Sequence, residues 1–71
     1  MTMEKYYVNK KPQANRDYEV HHKDCVHLPN AENRTYLGEF YSCVGAVFAA
    51  KQTYDTANGC NTCSYLCHVS L

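Results

Sequence analysis

Ser42-Cys43-Val44-Gly45-Ala46-Val47-Phe48-Ala49-Ala50-Lys51 is the stretch on which the fold turns, because the period of the apolar residues changes there. Val44, Val47, Phe48 and the stem of Lys51 follow i, i+3, i+4, i+7 spacing, the apolar face of a helix. Ser42 suits the N-cap, and Ala46, Ala49, Ala50, Lys51 and Gln52 are good helix formers. The spacing predicts a helix from about Cys43 to Tyr54. Asp55-Thr-Ala-Asn-Gly59 would end it in a turn, with Gly59 free to take a left-handed conformation.

Upstream, the pattern is that of strands. Lys5-Tyr-Tyr-Val-Asn9 is β-branched and aromatic, and Tyr18-Glu-Val-His-His22 alternates apolar with polar. The two predict a hairpin across the polar loop Lys10–Asp17, which holds Pro12. His27–Asn33 reads as a turn or one helical turn. Thr35–Tyr41 reads as a third short strand, in which Gly38 weakens the strand or marks a bulge. Downstream, Cys60-Asn-Thr-Cys63-Ser-Tyr-Leu-Cys67-His68 closes the chain in a turn or short helix. The expectation is one α+β domain over residues 1 to 71: an antiparallel sheet of two or three strands, one main helix and a cysteine-rich C-terminal turn.

At 71 residues the chain hides only roughly 60% of its unfolded surface, so its core is marginal and a staple is expected. Five cysteines and four histidines can supply one. Seven basic residues balance seven acidic ones, which removes the electrostatic footprint of a nucleic-acid binder. After Arg34 only Glu39, Lys51 and Asp55 carry charge, so the second half is expected to hold most of the buried surface. The start, Met1-Thr-Met-Glu-Lys5, lacks the apolar run of a secretory signal, and no apolar stretch is long enough to span a bilayer. A cytoplasmic monomer without membrane contact is the expectation.

Cys60 and Cys63 form a C-x-x-C pair after Asn58-Gly59, a turn that can aim two sulfurs at one tetrahedral ion. His21, His22 and Cys25 can supply the other two ligands. The predicted metal set is His21, Cys25, Cys60 and Cys63, with His22 and Cys67 as alternative ligands and zinc as the ion. Cys43 and Cys67 are left over, as a disulfide or as free thiols. An odd cysteine count and no signal segment argue against a disulfide scaffold throughout. A cluster on Cys25, Cys60, Cys63 and Cys67 is the iron–sulfur variant of the same inventory.

The run His21-x-x-x-Cys25-x-x-Leu28-Pro29, Asn33-Arg34, Phe40-x-Ser42, Ala46 and Gly59-Cys60-x-x-Cys63 resembles the Ada-like zinc modules found in DNA-repair methyltransferases. It covers about residues 21 to 63. The whole chain is also similar to small bacterial cysteine-rich proteins that start Tyr-Tyr-Val-Asn and end Cys-x-x-Cys-x-x-x-Cys-His. The Ada resemblance implies a zinc-stapled fold. It does not bring the repair activity, because a methyl-accepting ligand must be an anionic thiolate and the matching position is His21. Asn61, Thr62 and Ser64 also stand where phosphate-binding charge would be needed. The expected function is therefore a structural zinc module, not an enzyme, serving as an accessory or as a protein-interaction domain with a protein partner. The rival is a thiol–disulfide protein using Cys60/Cys63 or Cys43/Cys67, and an Ada-like DNA-binding repair module is disfavoured.

Overall fold

The computed structural model describes residues 2–13 and 16–69 of the 71. Four strands, Glu4–Asn9 (β1), Tyr18–His22 (β2), Arg34–Phe40 (β3) and Ala57–Gly59 (β4), form one sheet in the order β3-β1-β2-β4. One α-helix, Cys43–Lys51 (α1), packs on it. Short 3-10 turns at Ala31–Asn33 and Tyr65–Cys67 complete the chain. No helix among the described residues is long and apolar enough to cross a membrane.

The hairpin forms as its alternation predicts, with β1 and β2 antiparallel and Tyr7 opposite His21. In the loop between them, Ala14 and Asn15 lie outside the described residues. On the other side β1 pairs antiparallel with β3, and the register slips between Tyr6 and Tyr7, which face Gly38 and Tyr36. Leu37 is the extra residue, and Gly38 at φ 119° takes the backbone conformation that side chains disfavour.

The sheet has one strand more than expected. Ala57–Gly59 is not merely the turn that ends the helix: it pairs parallel with β2, Tyr18 to Ala57 and Val20 to Gly59. Ala-Asn-Gly carries no strand propensity, so nothing local announces it. Its pairing is held by Asn58, which is buried. Its amide nitrogen donates to Asp17 Oδ2 and to the Val69 carbonyl, and its amide oxygen accepts from Gly59 and Val69 N–H. Gly59 is also not left-handed; its φ lies outside the positive region. A side chain is excluded there by crowding, since a Cβ would lie 2.8 Å from both Cys67 Cβ and the Ser64 carbonyl oxygen.

Ser42 caps α1 through its hydroxyl, which accepts from Val44 N–H. The helix stops at Lys51, three residues short of the expected Tyr54. The Thr53 and Tyr54 N–H groups both close on the Ala50 carbonyl, and the Tyr54 ring stacks on Tyr18 with centroids 4.1 Å apart.

The face that α1 buries differs from the expected one. Ala46 and Ala50 lie in the core with Tyr6, Val8, Val20 and Ala57, flanked by Cys43 and Val47. Val44 and Phe48 stay 69% and 70% exposed. Two constraints choose this face. Alanines let the helix backbone approach the bulky strand residues, and a disulfide joins Cys43 to Cys67 with their Cα atoms 6.2 Å apart. Cys43, Ala46, Val47 and Ala50 are i, i+3, i+4, i+7, so the disulfide and the alanines turn the same side inward. The core is accordingly shared between the halves: its larger members, Tyr6, Val8 and Val20, come from the first.

Candidate metal centre

Strand alternation sets Tyr6, Val8 and Val20 toward α1, and Glu19 and His21 toward the opposite face of the sheet. At the end of β2 the chain turns, with Cys25 N–H bonded to the His22 carbonyl. Parallel to β2, β4 delivers Cys60, whose N–H bonds the Val20 carbonyl. Ser64 N–H then closes on the Cys60 carbonyl, folding the Cys60–Cys63 turn back on itself. Two segments about forty residues apart thus meet, because the parallel pairing of β2 with β4 brings their ends together.

His21, Cys25, Cys60 and Cys63 each offer one ligand atom, and these atoms all lie within 4.8 Å of one another. This group could hold a metal ion. Cys25 Sγ and Cys60 Sγ are 3.9 Å apart. Two sulfurs bound at about 2.3 Å to one tetrahedral ion are separated by about 3.8 Å, so the pair fits one edge of such a site. Each sulfur also receives a backbone N–H: His22 to Cys63, His27 to Cys25 and Thr62 to Cys60, at 3.2, 3.4 and 3.4 Å. Such donors favour thiolates over thiols.

Burial acts against charge on two of the same groups. His21 is 1% exposed, and neither Nδ1 nor Nε2 makes a hydrogen bond among the described residues. Burial, with the nearby His27 charge, lowers its pKa to about 4, so the ring is neutral and has a lone pair to give. Burial pushes the Cys25 thiol up to about 12, and contact with Cys63 adds to the rise. Three crowded sulfurs and an orphaned imidazole are costly as they stand; a soft cation that takes their electron pairs and displaces the thiol protons relieves both.

The alternative ligands do other things. The His22 ring packs edge-on against Tyr6, its Nδ1 accepts from Asp24 N–H, and its contribution to the cluster is its main-chain N–H to Cys63. Cys67 is paired with Cys43 and supplies no ligand, so the all-cysteine set of an iron–sulfur cluster is not assembled. His68 Nδ1 bonds the Gly59 carbonyl, bracing the strand that leads to Cys60. Asn58 is the residue that sequence reasoning missed here. Its position just before Gly59-Cys60 marked only a turn, and its bridge to Asp17 and Val69 needs the folded chain.

Compared with known proteins, the chain matches no family model, no curated protein and no solved structure.

Proposed function

We propose that this protein is a small structural zinc module, without enzymatic activity, in which His21, Cys25, Cys60 and Cys63 hold the ion. The observation that carries the reading is His21: a side chain almost wholly buried, with no hydrogen bond on either nitrogen among the described residues, set among three sulfurs. A set of three sulfurs and one nitrogen suits zinc, which takes four such ligands tetrahedrally in structural sites. The ion would tie the end of β2 to the end of β4 and supply folding energy that a 71-residue core lacks. The ligand spacing that resembles Ada-like modules supports the same reading, and His21 in place of a reactive thiolate argues against methyl acceptance.

Native mass spectrometry of protein purified with reductant should find one zinc per chain. Strong chelator should abolish the dispersed NMR spectrum, and a chain that stays folded in chelator would refute the reading.

The pairing of Cys43 with Cys67 favours a second reading, a thiol–disulfide function at that pair alone. Retention of the bond in excess glutathione would end it.

A further inference from the structure

Glu19 and His21 stand two residues apart on β2 and so project from the same face of the sheet. Glu19 Oε1 lies 3.7 Å from His21 Nε2, and the Glu19 side chain is only 21% exposed. Among the described residues its carboxylate has no other polar partner, and it is not one of the four groups whose ligand atoms converge. A covered carboxylate and a buried imidazole thus face each other, both without a hydrogen bond.

A neutral imidazole has one N–H and one lone pair, each on a different nitrogen, and burial demands a partner for both. Nε2 is the nitrogen turned to Glu19, so the proton belongs there and the lone pair belongs on Nδ1. We propose that Glu19 is the positioning residue of the metal site: its carboxylate accepts the His21 Nε2–H and commits Nδ1 as the ligand atom. This rests on the zinc reading above. Closure of the 3.7 Å contact by about 1 Å makes a charge-assisted hydrogen bond. That bond fixes the ring plane and raises the basicity of Nδ1, the use that metal sites commonly make of a carboxylate behind a histidine. It also explains a carboxylate placed on the covered face of a central strand, where its charge is otherwise a cost.

The test uses the full chain loaded with zinc, with Glu19→Val and Glu19→Gln beside the wild type. Zinc affinity is read by chelator competition, and the His21 tautomer by nitrogen-15 NMR of histidine-labelled protein. Nε2 should carry the proton in the wild type. Glu19→Val should weaken zinc roughly 10- to 100-fold and speed exchange of the Nε2 proton. Glu19→Gln, whose amide oxygen still accepts, should recover most of both. Circular dichroism at saturating zinc checks that each variant folds. A zinc-loaded wild type with the proton on Nδ1 overturns the proposal, as does a folded Glu19→Val with unchanged affinity and exchange. A chain that loads no zinc overturns the zinc reading and this one together, so the two failures are distinct.

Discussion

The two sides of the sheet make opposite use of hydropathy. On the side of α1, Val44 and Phe48 are apolar and exposed while small alanines fill the core. On the other side, His21 is polar, fully covered and, among the described residues, without a hydrogen bond. In each case burial follows what has to converge. The Cys43–Cys67 bond and close backbone approach set the helix face, and the meeting of four ligand atoms sets the position of His21. In a chain this short, the convergence of a few groups outweighs the average pull of apolar surface.

The sharpest way to break this contrast is to remove a ligand on one side and a large apolar residue on the other. Cys60→Ser should abolish one-to-one zinc binding and with it the cooperative fold, because structural zinc supplies on the order of 10 kcal/mol at neutral pH. Calorimetric melting with metal analysis would show it; a folded, cooperative Cys60→Ser chain would make the cluster dispensable.

Acid acts on the same side. The folded chain keeps His21 neutral down to about pH 4, whereas the unfolded chain protonates it near 6.5. The stability that His21 contributes is therefore complete above about 6.5 and lost as pH falls through that window to about 4. Zinc release followed with a chromogenic chelator should rise as the pH falls, because protons compete with the ion for His21 and for the three thiolates. A loaded chain that keeps both its metal and its stability below pH 4 would contradict it.

On the helix side the effects are smaller. Opening the Cys43–Cys67 bond by Cys43→Ser together with Cys67→Ser removes a closure across 24 residues, worth about 3 kcal/mol in denaturant melts of zinc-loaded protein. Ala50→Leu, a modest change on paper, should cost about 1–3 kcal/mol by overpacking against Val8 and Val20. Phe48→Ser, drastic on paper, should stay within about 0.5 kcal/mol because the ring is in solvent. If Phe48→Ser proved the costlier of the two, the helix would be rotated from the face described above.

Much of this was legible in local chemistry. The hairpin followed from the alternation of Tyr18–His22, the helix start from Ser42, and the bulge from Gly38. The four candidate ligands followed from spacing and donor type. What stayed hidden depended on partners distant in the chain. β4 was unreadable because Ala57-Asn58-Gly59 becomes a strand only through its pairing with β2 and the side-chain bonds of Asn58. The helix face was misread because valine and phenylalanine outrank alanine on any hydropathy scale, while whether Cys43 and Cys67 pair was open.

By itself, the sequence determined the inventory and the local conformations: a strand-rich first half, a capped helix, a C-x-x-C turn and a pair of spare cysteines. Only the tertiary structure decided which side of α1 is inside, that β2 and β4 lie parallel, and that Glu19 stands behind His21. The physical reason is range. Propensity and capping act within a few residues, whereas metal-ligand convergence, disulfide pairing and strand register are settled by residues about twenty to forty positions apart.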